Sequence, residues 1–421
     1  MLLLVQAFHA LHIPHLRFRV VALVPQLPVP RSARLAVNLM KRIVIDPRHD
    51  WQNKVRKLGF EYFNDSADGI YWREDAYYEF TTSETDAIYD ATRELFKLCE
   101  KAVDYIVEND DLWHYVNIAP SLAEEIKKSW YRNDPTLYGR YDFTIGKDGN
   151  YKMLEFNADT PTSVFEASIV QWFWKEEVFG DSRDQYNSIQ ETMESQFEYI
   201  QTRLPLGTRL YFTSVTEPVE DLITTLYLKS VAERAGLPTG YIKIDDIGYA
   251  DGQFLDMNDR PMNALFKLYP WEWLVEEDFG EHAFDSMKTW IEPVWKMLLS
   301  NKAILPILWK LFPNHPNLLP AYFSDEYVEG TLQYYVKKPI LAREGNNVTV
   351  NSEDGEYTSE GVYGSETMII QETCVVPKFG DNYAVIGSWI VGAEPCGVGI
   401  REDSTVVTKN TSKFVPHVIK G

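Results

Sequence analysis

The sequence predicts a mixed α/β protein, in which a strand–helix–strand unit precedes a largely antiparallel sheet. Three observations lead to this fold class. Apolar residues recur at intervals of three and four between Ile88 and Ile106, a strand, a helix and a second strand follow one another over 210–244, and the last third alternates short apolar segments with glycine-bearing turns. Together these patterns are typical of a protein that contains both parallel and antiparallel strands.

Helix starts are predicted from polar residues that precede apolar periodicity. Ser83 with Asp86 marks the start of the first long helix, and Ser163 with Glu166 has the spacing of a capping box at the start of another. Two further helical segments are expected, at 218–235 and 295–312.

Strands are predicted where apolar and β-branched residues lie between turn residues. Segments 141–145 and 151–156 form a hairpin around the Gly/Asp/Asn-rich turn 146–150. Segments 210–213 and 241–244 flank the helix of the βαβ unit. The strands of the C-terminal antiparallel region are predicted at 334–339, 348–350, 368–371, 383–391 and 397–401.

Composition restricts the classes of protein to consider. The chain has 421 residues, of which 45% are hydrophobic and 24% charged, so it can bury a large core. No Pro/Gly/Ser-rich linker divides it, which favours one interleaved unit. A net charge of −21 argues against nucleic acid as a partner and permits a cationic substrate. Three sparse cysteines without CxxC spacing indicate a reducing, cytoplasmic compartment.

Residues 1–39 differ from the rest because they carry four arginines and no acidic residue. Arg17 and Arg19 interrupt the apolar run well short of the ~20 residues that a membrane-spanning helix needs. We expect this segment to be an N-terminal extension outside the fold, with Met40 at the start of a folded domain over 40–421; an organelle transit peptide is the alternative.

The predicted hairpin carries the first candidate site. Arg140 and Asp142 lie two apart on one strand, and Glu155 and Asn157 lie two apart on the other, so each pair shares a face. Few, hard oxygen ligands beside a bound phosphate suit Mg²⁺, and a fixed guanidinium can neutralise a phosphoryl group in transfer. The alternative is a surface hairpin whose polar residues satisfy one another.

The loop after Asn157 leads into a predicted helix, where free backbone N–H groups favour an anion. Thr160 and Ser163 of this loop are therefore candidate contacts for a substrate carboxylate or phosphate. Serine and threonine before a helix more commonly serve as turn or cap residues, and that alternative stays open.

A second group of candidates could bind a nucleotide. Lys338 ends a predicted strand before a short loop that contains Gly345, and Lys302 is a second candidate phosphate lysine. Glu372 ends a strand whose edge could bind adenine and ribose, and Arg401 lies on a glycine-bearing strand. The GxxxxGK[ST] motif of a Walker A loop is absent. The alternatives are solvated lysines, a plain edge strand and an ion pair between Arg401 and its acidic neighbours.

Several longer motifs, in fixed order over Met40 to His417, closely resemble the glutathionylspermidine synthetase family. Within it the chain is similar to the short bacterial members that consist of the synthetase module alone. The motifs are 74–78 (EDAYY), 138–143, 154–163 (LEFNADTPTS), 265–271 (LFKLYPW), 300–303 (SNKA), 313–323, the segment around Lys338, 377–380 (PKFG), 386–389, 399–403 and 412–417.

The resemblance implies an ATP-grasp fold and an ATP-dependent, ADP-forming carbon–nitrogen ligase. ATP would phosphorylate a carboxylate, such as a glutathione-like peptide, and an amine, such as a spermidine-like polyamine, would attack the acyl-phosphate. The cofactors implied are ATP and Mg²⁺, with two ions expected. No amidase activity is predicted, because the 39 residues before Met40 contain no cysteine.

The resemblance also implies roles for individual residues. Arg140 matches the arginine that stabilises the transition state, and Gly345 lies in the loop over the phosphates. Glu372 falls at the adenine and ribose edge. The implied magnesium ligands are Asp142, Glu155 and Asn157. The implied nucleotide contacts are Arg140, Asp142, Lys302, Lys338, Gly345, Glu372 and Arg401.

Two alternatives to this function stay open. The first is a ligase for a different carboxylate and amine, and the second is a non-catalytic ATP-binding relative, which would have little use for Arg140. A kinase-like phosphotransferase would need a general base near the acceptor, and the sequence indicates none. The expected partners are small-molecule substrates, without nucleic acid, membrane or an obligate protein partner.

Overall fold

The computed structural model describes residues 40–64, 69–343, 345–361, 367–374, 376–409 and 411–420. The prediction that residues 1–39 form an extension outside the fold concerns residues that lie outside this described part. In the described ranges, no helix combines the length and the apolar character that crossing a membrane requires.

Each predicted helix has a counterpart in the structure, although the segment expected over 295–312 is divided into separate shorter helices, and the structure adds helices that were not predicted. In chain order the helices of the structure are α1 (Trp51–Lys57), α2 (Thr82–Val107), α3 (Pro120–Tyr131), α4 (Gln171–Phe179), α5 (Ile189–Arg203), α6 (Val219–Arg234), α7 (Trp271–Leu274), α8 (Met297–Ser300) and α9 (Ile304–Leu311). The π-helical turn Glu166–Val170 directly precedes α4.

The strands lie in several sheets. In the first half of the chain they are β1 (Lys41–Val44), β2 (Ala76–Phe80), β3 (Tyr138–Ile145), β4 (Tyr151–Asn157), β5 (Leu210–Ser214), β6 (Thr239–Lys243), β7 (Gly248–Ala250), β8 (Gln253–Leu255), β9 (Ala264–Leu268) and β10 (Thr289–Ile291). In the second half they are β11 (Ala321–Phe323), β12 (Tyr335–Pro339), β13 (Thr349–Ser352), β14 (Gly355–Thr358), β15 (Met368–Glu372), β16 (Lys378–Phe379), β17 (Asn382–Val391), β18 (Glu394–Asp403), β19 (Lys413–Val415) and β20 (His417–Ile419).

The predicted hairpin forms β3 and β4, and it lies at one side of an antiparallel sheet with the order β19-β18-β17-β3-β4. A second antiparallel sheet has the order β11-β15-β12-β13-β14. The prediction of a mainly antiparallel C-terminal region is therefore confirmed. These two sheets carry most of the candidate site, because β3 and β4 come from one and β12 and β15 from the other.

The predicted βαβ unit is also confirmed. β5 and β6 are parallel neighbours on either side of α6, and they belong to a parallel sheet with the order β10-β9-β5-β6. A smaller sheet has the order β1-β2-β20, so β2 lies between the first described strand and the last.

Two helix starts differ from the prediction. The cap of α2 is Thr81, whose side chain accepts from Glu84 N while the Glu84 carboxylate accepts from Thr81 N, so the capping box lies two residues before Ser83 and Asp86. The capping box predicted at Ser163 is wrong. Glu166 is buried and accepts a hydrogen bond from Tyr71 Oη instead of returning to the helix start.

The core covers both faces of the β3–β4 hairpin sheet. α2 packs its apolar stripe against it, and Thr92 Oγ1 is hydrogen bonded to Ser388 Oγ of β17 (2.7 Å). Tyr141 stacks on Phe156 with ring centroids 3.8 Å apart, which clamps β3 to β4. The polar residues of this hairpin are therefore carried by a rigid, well-packed support.

Candidate active site

Four polar side chains of the hairpin come together as predicted. Arg140 pairs with Asn157 across the strands, and Asp142 pairs with Glu155. Arg140 donates from Nε to Asp142 Oδ1 (2.6 Å) and from Nη2 to Oδ2 (3.0 Å). Asn157 Nδ2 donates to Asp142 Oδ2 (3.3 Å) and to Glu155 Oε1 (3.1 Å). One cation and three oxygen-bearing side chains thus form a single polar cluster.

Lys302 reaches this cluster because the predicted helix over 295–312 is interrupted. α8 ends at Ser300 and α9 begins at Ile304, and the backbone N–H of Lys302 donates to Ile340 O (2.9 Å). Its Nζ lies 3.0 Å from Glu155 Oε2 and 2.6 Å from Ala342 O. The break in the helix therefore presents a lysine to the carboxylate of the hairpin.

Lys338 approaches the same carboxylate region from β12 of the second sheet. Its Nζ donates to Leu154 O and to Gln371 Oε1, both at 2.9 Å. The side chain is buried, and burial lowers the pKa of Lys338 to about 8 despite the attraction of Glu155. Gln371, whose role the sequence reasoning missed, orients this lysine.

The pKa values of the carboxyl groups of Asp142 and Glu155 shift in opposite directions. Burial resists ionisation of Glu155, but the charges of Lys302 and Lys338 outweigh it and hold the pKa of this carboxyl below its usual range. Burial raises the pKa of Asp142 above its ordinary value, against the opposing charge of Arg140. Glu155 therefore remains a carboxylate over the physiological pH range.

A cavity of about 180 Å³ opens beside these charges. Its lining combines charged and polar groups with valine and leucine side chains such as Val336 and Leu154. Such a combination suits a flat aromatic group joined to an anionic one. The predicted residues that line this cavity are Asp142, Glu155, Lys302, Lys338, Gly345 and Glu372.

The loop that contains Gly345 is held against the segment 407–408. Gly345 has a φ of +70°, and a Cβ at this position would lie 2.6 Å from Val407 Cγ1 and 2.7 Å from Thr408 O. Its carbonyl accepts a hydrogen bond from Ser359 Oγ. Both the backbone conformation and the space available require glycine here.

Arg401, predicted as a nucleotide contact, is not among the residues that line this cavity. It donates from Nη2 to Lys409 O (2.6 Å) and from Nε to Ser412 O (3.1 Å), while Nη1 lies 3.5 Å from Ser163 Oγ. Its acidic neighbour Glu402 is paired with Arg42 at 2.8 Å. The structure therefore brings Arg401 and Ser163 together.

Thr160 lies on the other side of the cluster, with two residues that the sequence reasoning missed. Arg343 donates from Nη1 to Thr160 Oγ1 (2.8 Å) and forms an ion pair with Glu272. Glu272 directly follows the motif that ends at Trp271, and this adjacency is the one indication in the sequence that it could belong to the site. Thr160, Glu272 and Arg343 line a small cavity next to Lys302.

The loop after β4 is fixed by a buried ion pair that was also missed. Asp159 and Lys267 are fully buried, with Oδ1 and Nζ 2.6 Å apart, and Asp159 Oδ2 accepts from Trp271 N (3.0 Å). Ser300 Oγ accepts from the backbone N–H groups of Ala158 and Asp159. These contacts join the end of β4 to β9 and to the segment that carries Lys302.

The donor chemistry of the hairpin fits a magnesium ion shared with phosphates. Across the part of the chain that the structure describes, no three His, Cys, Asp or Glu side chains group as a metal site. Asp142 and Glu155 would supply two carboxylates and Asn157 an amide oxygen, which leaves positions for phosphate and water oxygens. The neighbouring Arg140 and Lys302 would then be available to the phosphates.

Comparisons with known proteins give a consistent result. The family described as glutathionylspermidine synthase preATP-grasp matches residues 42–420. A Haemophilus influenzae protein assigned as an acid–amine ligase is 42% identical over 396 residues, which cover 90% of this chain and 99% of that protein.

Longer relatives match over part of their length. Trypanothione synthetase of Crithidia fasciculata is 29% identical, with 76% of this chain and 53% of that protein covered. Bifunctional glutathionylspermidine synthetase/amidase of Escherichia coli is 26% identical, with 82% and 59% covered. The structure of a glutathione synthetase-like effector from Globodera pallida superposes with a TM-score of 0.51 over 82% of this chain and 89% of that one. Its identity is 10%, so this likeness is one of fold.

Proposed function

This chain belongs to the glutathionylspermidine synthase family, and we propose from this premise that it uses ATP and Mg²⁺ to join a carboxylate to an amine through an acyl-phosphate. It is a carbon–nitrogen ligase of the acid–amine class with an ATP-grasp-type α/β fold. The substrates we propose are a glutathione-like peptide as the carboxylate and a spermidine-like polyamine as the amine.

One observation carries the proposal. The Arg140–Asp142 and Glu155–Asn157 pairs of a single hairpin face two lysines that reach them from other elements, Lys302 from the break between two helices and Lys338 from β12. Phosphoryl transfer needs positioned cations and a metal site rather than a protein nucleophile, and this cluster supplies both.

The roles proposed for these residues are those that the family resemblance implies, and their positions support them. The guanidinium of Arg140 neutralises charge on the phosphoryl group in transfer, because its fork is held on one side by Asp142 and on the other by Thr162 O (2.8 Å). Lys302 and Lys338 contact the nucleotide phosphates, and the cavity wall that ends at Glu372 receives the adenine and ribose. Magnesium, when bound, would neutralise the phosphates beside Asp142, Glu155 and Asn157.

The carboxylate substrate is assigned to the other face of the cluster. Thr160 with Arg343 supplies a hydroxyl and a guanidinium, and Ser163 with Arg401 supplies another such pair. Both pairs adjoin the loop that leaves β4. A carboxylate bound between them would lie near Arg140, which donates to Thr162 O of the same loop.

The proposal is tested by Mg²⁺-dependent ADP release from the full chain. Thiol peptides and amino acids are crossed with polyamines, and any product is identified by mass spectrometry. We expect ADP release that requires both a carboxylate and an amine, with an amide of the summed mass less water. ATP binding without ADP release from any pair would contradict the ligase and favour a non-catalytic ATP-binding protein.

Replacing Gly345 by alanine is expected to weaken ATP binding. The new Cβ would lie 2.6 Å from Val407 Cγ1, so the loop over the cavity must move. We expect ATP affinity to fall about tenfold or more, which corresponds to ~1.4 kcal/mol, as measured by calorimetric titration with Mg²⁺–ATP.

Gly252→Ala is the matched control for this change. Gly252 has nearly the same φ, of +74°, but no heavy atom lies within 4 Å of its added Cβ. It therefore bears a similar backbone cost without the steric one. Equal losses of ATP affinity in the two variants would show that the packing of the Gly345 loop does not matter for the nucleotide.

A further inference from the structure

A buried carboxyl group lies behind the loop that we assign to the carboxylate substrate. Glu166 is 0% exposed and begins the π-helical turn that precedes α4. Its Oε1 accepts a hydrogen bond from Tyr71 Oη at 2.6 Å. A carboxyl group in such a position costs stability when it is ionised, so it needs a purpose that an apolar side chain would not serve.

Hydrogen-bonding groups lead from this carboxyl to the substrate loop. Tyr71 Oη lies 3.3 Å from Ser163 Oγ, and Ser163 Oγ lies 3.5 Å from Nη1 of Arg401. Thr162, the neighbour of Ser163, accepts from Arg140 through its carbonyl. Tyr71 and Ser163 are each only 2% exposed. The path therefore runs inside the protein and ends at Ser163, whose hydroxyl contacts Arg401 and whose neighbour Thr162 contacts Arg140.

The surroundings of Glu166 raise the pKa of its carboxyl group, so that it can gain and lose a proton near neutral pH. The groups that face it are Tyr62 and Tyr71 from the segment before β2 and Glu220 from α6, while Arg401 of β18 acts on Tyr71. Burial, and then the charge of Glu220, raises the pKa of Glu166 to about 7. Burial and Glu166 raise the pKa of Tyr71 well above its ordinary value, so Tyr71 passes a proton without ionising.

We propose that Glu166 accepts the proton that the amine substrate loses, and that Ser163 and Tyr71 pass this proton to it. The proposal rests on the proposed ligase function, because only an amine nucleophile requires the step. Ser163 is the member that would contact the substrate, and Glu166 acts through the other two. An ammonium nitrogen has no free electron pair, so it cannot attack until a base has taken a proton.

The reactants of this step are an alkylammonium and an acyl-phosphate. One ammonium proton passes to Ser163 Oγ, the hydroxyl proton of Ser163 passes to Tyr71 Oη, and the hydroxyl proton of Tyr71 passes to Glu166 Oε1. The free amine nitrogen forms the bond to the acyl carbon. The bond between that carbon and the phosphate oxygen breaks, phosphate leaves with the electron pair, and it takes the second nitrogen proton.

The test compares two nucleophiles in the full chain, in wild type, Glu166→Gln and Tyr71→Phe. The carboxylate substrate is glutathione or, if another carboxylate supports ADP release in the experiment described under Proposed function, that carboxylate. Spermidine requires deprotonation, whereas hydroxylamine is largely uncharged at neutral pH and forms a hydroxamate from the same acyl-phosphate. Tyr211→Phe is the matched control, because Tyr211 is also a buried tyrosine that donates to a carboxylate, that of Asp256 at 2.8 Å, but it has no contact with Glu166 or Ser163.

In the wild type, kcat with spermidine should fall as the pH drops below about 7, where Glu166 becomes protonated. Glu166→Gln and Tyr71→Phe should each lose that pH dependence and about 10²-fold or more of kcat. Both should retain hydroxamate formation within a few-fold. Tyr211→Phe should keep the wild-type pH profile with either nucleophile. A simple loss of folding would lower the rates with both nucleophiles together.

Three outcomes would overturn the proposal. The first is a wild-type pH profile in Glu166→Gln and Tyr71→Phe with spermidine. The second is an equal loss of amide and hydroxamate in these variants, which would assign the effect to phosphoryl transfer or folding. The third is a wild type that releases no ADP with any carboxylate and either nucleophile, which would overturn the ligase function itself and the proton path with it.

Discussion

Replacing Arg140 by lysine is expected to reduce amide-forming turnover by about 10³-fold or more, with ATP affinity within a few-fold of the wild type. Lysine keeps the positive charge but cannot reproduce the fork that Arg140 makes with Asp142, at 2.6 and 3.0 Å, while it also donates to Thr162 O. The loss therefore falls on the transition state more than on binding.

The measurement is kcat from ADP release under saturating substrates, together with calorimetric ATP binding. Arg132→Lys is a matched control, because Arg132 makes the same two-pronged contact with Asp134, two residues later, at an exposed site. It should have wild-type kcat. Turnover by Arg140→Lys at the wild-type rate would remove Arg140 from the catalytic role.

Replacing Glu155 by glutamine is expected to raise the Mg²⁺ concentration for half-maximal activity by at least about tenfold, which corresponds to ~1.4 kcal/mol. A neutral amide is a weaker ligand for a hard cation than a carboxylate. The same change removes the negative charge 3.0 Å from Lys302 Nζ. Binding of ATP without metal should therefore become tighter, in the opposite direction to the metal effect.

Magnesium titrations of activity and calorimetry with and without metal test this pair of opposite effects. Asp354→Asn is the control, since it removes one negative charge from the lining of the same cavity at an exposed position. It should leave the magnesium requirement unchanged. A normal magnesium titration for Glu155→Gln would exclude Glu155 from the ligands.

The hairpin and its four polar residues were predictable from local sequence. A Gly/Asp/Asn-rich turn between two alternating segments determines the register within a residue or two, and strand periodicity then assigns the faces. The pairing of Arg140 with Asn157 and of Asp142 with Glu155 follows from this register, despite the irregularity after Asp142. The lysines were chosen from their motifs, and their contacts with Glu155 and Gln371 depend on tertiary packing.

Other parts of the site follow from contacts that local sequence does not encode. Ser163 and Glu166 have capping-box spacing, but burial against Tyr71 gives Glu166 a stronger partner than the helix start. Arg401 donates to the backbone carbonyls of Lys409 and Ser412, and carbonyl acceptors leave no mark in a sequence. The place of Arg343 in the site could not be predicted, because its contact with Thr160 depends on which loop packs against that residue.

The two ion pairs of the hairpin cluster make the binding of metal and nucleotide interdependent. A metal ion that binds Asp142 and Glu155 competes with Arg140 and Lys302 for these carboxylates. Phosphates that bind Arg140 and Lys302 compete in turn with the carboxylates for these cations. When both bind, the metal neutralises the carboxylates that the phosphates have separated from their cations, and the phosphates neutralise the arginine and lysine that the metal has separated from their carboxylates. Magnesium and ATP should therefore bind with positive cooperativity, and each should raise the affinity of the other by the same factor. The Arg140–Asp142 and Lys302–Glu155 ion pairs thus hold these four side chains close to the positions in which they would bind the metal and the phosphates.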